Sequence, residues 1–184
     1  MKPKLLIVTG STMKYRELAS GLSDFFDCEQ KDWTEPEIQG SNKEILDHKL
    51  RRAYEIFQSP VLVDDVSTYI EELNGFPGPY MKDFFKVMTT YEMGNKFAGS
   101  KIKAICQLGL CRGPEDILIA EGEFNGKIVK PKNNDHQDRW YDLFVQLDGT
   151  DKPMIEYSIE EKNKFSHRGK AMDNLIEILK KEGM

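Results

Sequence analysis

Long hydrophobic runs are missing from this chain. After Lys2 and Lys4 the apolar stretch is only "LLIV" before Thr9 and Gly10, too short for a signal peptide. Nothing approaches the roughly 20 apolar residues that a membrane helix needs. Cysteine is scarce as well. Cys28, Cys106 and Cys111 are odd in number and lack metal-type spacing. They read as reduced thiols, and a cytoplasmic location is the expectation. Positive charge is not in excess: the formal net charge is −5 and the pI about 5.3. That argues against a general nucleic-acid or anionic-membrane binder, but leaves room for a small anion held by a few lysines. There is no G-x-x-x-x-G-K-[ST] loop, so an ordinary P-loop is excluded. There is no D-x-D after a strand, so an aspartyl-phosphate phosphatase is excluded too. Repeats and low-complexity segments are absent.

What is present is a globular chain of 184 residues, 39% hydrophobic and 31% charged. That suits one domain or two closely merged lobes, and the expectation is a single domain over 1–184 with no separable linker. "KLLIVTGS" predicts a buried strand and a turn. A helix over about 12–21 follows, capped by Ser11 or Thr12 and stopped by Gly21. "DFFDCEQKD" predicts a second strand and "WTEPEIQG" an acidic loop. Ser41-Asn42-Lys43-Glu44 is a capping box opening a helix over about 42–58, with Leu46, Leu50, Ala53, Tyr54 and Phe57 as its apolar stripe. "PVLVDD" predicts a third strand that ends in two aspartates. This alternation indicates an α/β layer.

The second half reads differently. "NGFPGPY" is a turn feeding a helix from about Pro79 to Tyr91. "KIKAICQLGLC" and "ILIAEGEF" predict an antiparallel hairpin through "RGPED", with "GKIV" as a candidate extension. "KPKNNDHQD" is a loop, "WYDLFVQL" a strand and "SIEEKNK" a short helix. Ser166 caps a last helix to about residue 181. The expected architecture is α/β, a mixed sheet with flanking helices, antiparallel in its second half, with a cleft between the two parts.

Several residues could carry chemistry. "VTGSTMK" places backbone N–H groups, a hydroxyl and Lys14 at a helix start. That is an anion site, or a plain β–α turn with a surface lysine. Glu35 and Glu37 lie in a loop. Asp64 and Asp65 end a buried strand and, being adjacent, point to opposite faces. Such carboxylates suit Mg²⁺, or serve as loop and cap acids. Lys49 lies on or beside the apolar face of its helix, where it either meets a ligand or snorkels to water. Lys82 and the pair His167-Arg168 fall at helix starts. His167 also reads as a buried core histidine, in line with Ala171 and Leu175. A nucleoside triphosphate with Mg²⁺ accommodates all of them at once, and "RWYDLF" adds rings that could stack on a base.

Seven pieces then carry a resemblance: "VTGSTMK", "EPEIQG", "VLVDD", "LNGFPGPYMKDFF", "EGEFNGKIV", "RWYDLF" and "EKNKFSHRGKA". In this order, over about residues 5–171, the chain resembles the inosine triphosphate pyrophosphatases. The resemblance implies a two-lobed α/β fold, a mixed β-sheet with flanking helices and a central nucleotide-binding cleft, and Mg²⁺-dependent hydrolysis of ITP, dITP and XTP to the monophosphate and pyrophosphate by a homodimer, with Mn²⁺ as a substitute. It implies phosphate binding by Thr9, Gly10, Ser11, Thr12 and Lys14, with Lys49 and Lys82 as further substrate contacts. Glu37 and Asp65 would hold the metal, and Asp65 and Lys14 would be catalytic. Arg139, Trp140, Tyr141 and Asp142 would line the base, and Lys162, His167 and Arg168 would read it. The chain departs from the family pattern at Ser11 (usually Asn), Asp64 (usually Glu), Val66 (often Ser or Thr) and the Arg139-Trp140 pair (usually Phe-Gly). Two other readings stay open: a pyrophosphatase for another modified nucleotide, favoured by the altered base loop, and a weakly catalytic nucleotide-binding protein that keeps the cleft.

Overall fold

Two short parallel pairings start the structure, a computed structural model that describes residues 1–133 and 142–184. Strand β1 (Lys4–Val8) pairs with β2 (Asp27–Lys31) and with β3 (Val61–Ile70), both in parallel, so Leu6 lies opposite Glu29 on one side and Val61 on the other. Parallel neighbours need crossovers. Helices α1 (Thr12–Leu22) and α2 (Asn42–Phe57) supply them. Strand β4 (Pro77–Gly78) pairs antiparallel with β3. Two turn residues join β5 (Lys101–Gly113) to β6 (Asp116–Ile128), a connection only an antiparallel pair can make. Strand β7 (Val145–Leu147) closes the order β2-β1-β3-β5-β6-β7. The mixed α/β sheet expected from the sequence is thus present. No described helix is long and apolar enough to cross a membrane.

By backbone proximity the chain forms two compact units. The first comprises Met1–Asp65, Cys106–Gly122 and Ala171–Met184. In it Leu46, Leu50 and Ala53 of α2 pack on Leu6, Val61, Val63 and Cys111, with Trp33 and Phe57 at the margin. Leu46 and Leu50 are fully buried, which stabilises the fold by about 1.5–3 kcal/mol each. The capping box at Ser41 and Glu44 forms as the sequence indicates. The second unit comprises Val66–Ile105 and Glu123–Lys170. Its core joins Ile70, Met93, Phe97, Phe124, Phe144 and Met154. Its described residues include the short helices α3 (Met81–Phe84), α4 (Thr90–Lys96) and α5 (Ile159–Asn163). The last helix, α6 (His167–Lys181), begins in this unit and ends in the first.

Four expectations change. Gly21 does not stop α1, which runs on to Leu22. Instead its missing side chain makes room for Met172 of α6, whose Cγ would lie 2.8 Å from an added Cβ. Strand β3 does not end at the aspartates, because the β-branched and aromatic run "VSTYI" continues it to Ile70 and pairs Thr68 with Gly78. The single helix over 79–91 is broken in two, since Thr89 and Glu92 form a second capping box that starts α4 afresh. The strand expected over 140–147 is confined to Val145–Leu147 among the described residues, with Asp142 and Leu143 in a helical turn.

Gly169 is sterically required. A Cβ on Gly169 would sit 1.7 Å from the carbonyl oxygen of Asn163. Gly169→Ala must therefore push α5 and α6 apart, and is expected to destabilise the protein by about 3 kcal/mol or more, above the usual cost of overpacking. Urea unfolding measures this.

Candidate active site

The β1–α1 turn is built by local hydrogen bonds. Ser11 is the N-cap, accepting from the Lys14 amide at 3.3 Å, while its own amide donates to Thr9 Oγ1 at 3.1 Å. Capping uses a lone pair of the Ser11 hydroxyl and leaves its proton available to donate. The first turn of α1 carries no acidic side chain of its own, but the Asp32 carboxylate lies beside Gly10 just ahead of it, its Oδ1 2.9 Å from where a Gly10 Cβ would be. Gly10 and Thr12 are exposed in the same turn. Lys14 reaches 2.9 Å from Asp64 Oδ2, and that carboxylate is only 4% exposed.

Alternation along β3 sends Asp64 and Asp65 to different partners, as their adjacency requires. Asp65, buried, accepts from Lys49 Nζ at 2.6 Å. The same ammonium is 2.8 Å from Glu37 Oε1. Lys49 is thus neither a stray surface lysine nor a plain snorkel. It projects from the margin of the apolar face of α2 to a point where two carboxylates converge.

This cluster holds three carboxylates (Glu37, Asp64, Asp65) against two ammonium groups (Lys14, Lys49). Burial pushes the Asp65 carboxyl above the ordinary aspartate range, helped by nearby Glu37 and Asp64, and the shared Lys49 offsets this only in part. Burial pulls the Lys49 ammonium down, but Asp65 and Glu37 together outweigh it and hold the lysine charged.

Among the described residues no three His, Cys, Asp or Glu side chains form a metal-type cluster. The donor set for a cation is the pair Glu37 and Asp65, already gathered around one positive charge. Mg²⁺ takes one or two carboxylates and completes its shell with water and phosphate oxygens, so this pair fits it.

The remaining candidates lie in the second unit. Lys162 and Asp142 form a buried ion pair at 3.0 Å, with side chains only 7% and 6% exposed. His167 is buried edge-on against Phe124, with ring centroids 5.0 Å apart. Arg168 is half-buried beside it, and Lys82 is exposed on α3. Ser158 caps α5, and Ser166 accepts from the Gly169 amide at 3.0 Å, which fixes the α5–α6 corner carrying Lys162, His167 and Arg168. Arg139, Trp140 and Tyr141 lie outside the described residues.

Two features escaped sequence reasoning. One is the pairing of Lys14 with Asp64, whose signal was the strand alternation. The other is Glu35, which turns away from Lys49 to His48 and Arg52, and whose signal was the i, i+4 spacing of those two residues on α2.

The fold and this lysine–carboxylate cluster define an α/β protein with a polar site on its parallel strands. The chain matches the Ham1 family over residues 5–178. It is 35% identical over 182 residues to the inosine triphosphate pyrophosphatase of Schizosaccharomyces pombe, covering 97% of this chain and 96% of that one. It is likewise 35% identical over 187 residues to that of Scheffersomyces stipitis, covering 94% and 95%. Solved structures share the fold, among them the following two. A HAM1 protein from Coxiella burnetii gives a TM-score of 0.81 at 22% identity over 98% of this chain and 100% of that one. The Staphylococcus aureus Ham1 protein gives 0.73 at 20% identity over 97% and 100%. This chain belongs to the Ham1 family.

The raised Asp65 carboxyl has a stability consequence. A raised folded-state pKa contributes stability that is full below the ordinary aspartate value and lost as pH climbs through the raised one. Asp65→Asn removes that loss. Its melting temperature relative to wild type should therefore increase as pH rises from about 4 toward neutrality. A difference that is flat or shrinks with pH in thermal melts would refute the direction of the shift.

Proposed function

We propose that this protein hydrolyses deaminated purine nucleoside triphosphates (ITP, dITP and XTP) to the monophosphate and pyrophosphate with Mg²⁺. The observation that carries this reading is the paired cluster Lys14–Asp64 and Glu37–Lys49–Asp65 beside the open start of α1. The full-length relatives named as inosine triphosphate pyrophosphatases support it.

In this reading Thr9 to Lys14 hold phosphate oxygens through the α1 start, the Ser11 hydroxyl and the Lys14 ammonium. Lys49 and Lys82 add further contacts. Glu37 and Asp65 would hold Mg²⁺, which when bound supplies charge neutralisation at the phosphates and a more acidic water. Asp65 orients the attacking water and accepts its proton as the water oxygen bonds to the α-phosphorus. The bridging oxygen departs with pyrophosphate. A carboxylate with a raised pKa is a better proton acceptor than an ordinary one. Lys14 offsets the charge that grows on the leaving group.

The base is assigned to Arg139, Trp140, Tyr141 and Asp142, with Lys162, His167 and Arg168 as donors toward a 6-keto oxygen. Adenine presents an amino group there, donor against donor. Such mismatches support rejection on the order of 10⁴-fold. Dimerisation belongs to the same proposal, and light scattering should return twice the 21.2 kDa chain mass.

Incubation with Mg²⁺ and a panel of ITP, XTP, dITP, GTP and ATP tests the reading. Nucleoside monophosphate and pyrophosphate should appear, with ITP and XTP far ahead of ATP. Asp65→Asn should lower kcat by about 10²-fold or more, as expected for loss of a general base. Equal rates across the panel would refute the base assignment. Turnover confined to a different base would favour a pyrophosphatase for another modified nucleotide. Binding without turnover would favour a nucleotide-binding protein.

A further inference from the structure

We infer that Glu35 is a positioning residue for Glu37, clamping the acidic loop to α2 so that the Glu37 carboxylate is presented to a divalent cation. This rests on the reading of Glu37 as a metal ligand. Between β2 and α2 the chain has no regular structure, yet alternate residues meet the helix. Trp33 packs edge-on against Phe57, with ring centroids 6.3 Å apart. Glu35 Oε2 accepts from Arg52 Nε at 3.4 Å, and Glu35 Oε1 lies 3.5 Å from His48 Nδ1. Glu37 reaches Lys49 at 2.8 Å. The residues between them, Thr34 and Pro36, are exposed. Two extended residues advance about 6.6 Å and one helical turn about 5.4 Å, so alternate loop side chains keep step with successive turns of α2.

Pro36 makes the coupling stiff. It fixes its own φ and restricts Glu35 before it to extended backbone, so an anchor at residue 35 constrains where residue 37 points. The Glu35 side chain is 18% exposed, more sheltered than its partners His48 (36%) and Arg52 (44%). When Lys49 turns toward phosphate, Glu37 gives up that contact. The Glu35 clamp, which uses different side chains of the same helix, stays in place.

A plain surface ion pair would affect stability slightly and metal affinity not at all. Titrating the full-length protein with Mn²⁺, without nucleotide, and reading free Mn²⁺ by electron paramagnetic resonance separates the two. Glu35→Gln should bind Mn²⁺ about tenfold more weakly, the scale seen when a group orienting a metal ligand is removed. Arg52→Gln should weaken it in the same sense. The double variant should be no worse than Glu35→Gln, because both changes break one clamp. Melting temperatures should stay within about 3 °C of wild type, as for other surface changes. Wild-type Mn²⁺ affinity in Glu35→Gln overturns this inference alone, as does a loss matched by a collapse in melting temperature. A wild-type protein that does not bind Mn²⁺ overturns the metal assignment, and this role with it.

Discussion

The Lys49 ammonium, held between Glu37 and Asp65, is the contact on which the candidate site depends. Without a cation there, a buried aspartate and a loop glutamate would repel each other across a poorly solvated gap. Asp65 would take up a proton, and Glu37 would lose its contact with α2. The lysine's position is set from far away. Leu46, Leu50 and Ala53 bury one face of α2 against the sheet, which leaves residue 49 at the margin, within reach of Asp65 on β3. Packing thus decides where the charge lies.

The sheet does the complementary work. Asp64 and Asp65 are neighbours in sequence but serve different lysines, because a strand sends successive side chains to opposite faces. Two ion pairs are therefore kept apart by a single peptide unit. The structure spends conformational and desolvation free energy on holding like charges close, as sites built for charged ligands do.

Much of this was legible in the sequence, for identifiable reasons. Capping boxes and apolar stripes are local, so α2, α5 and the start of α6 could be read directly. The β5–β6 hairpin was equally clear from its alternation and its Gly-Pro turn. Failures came where a distant partner overrode a local signal. Gly21 looks like a stop but accommodates Met172. The aspartates look like a strand end but continue into a β-branched run paired with Gly78. A further miss was local: the capping box of Thr89 and Glu92 starts α4 afresh and breaks the helix expected over 79–91. In the site, each charged residue could be nominated from sequence, but not its partner. For Lys14 and Asp64, fifty residues apart, strand alternation says that Asp64 and Asp65 need different partners but not which lysine each one meets.

The division of the chain has a consequence for how the protein is made. The unit that contains the first residue also needs Ala171–Met184, where Leu175 and Leu179 are fully buried and Met172 fills the space beside Gly21. A ribosome therefore releases every residue of the second unit before the last segment of the first. The half of the molecule that is begun first is completed last, and its apolar surfaces must wait through most of synthesis for the helix that covers them.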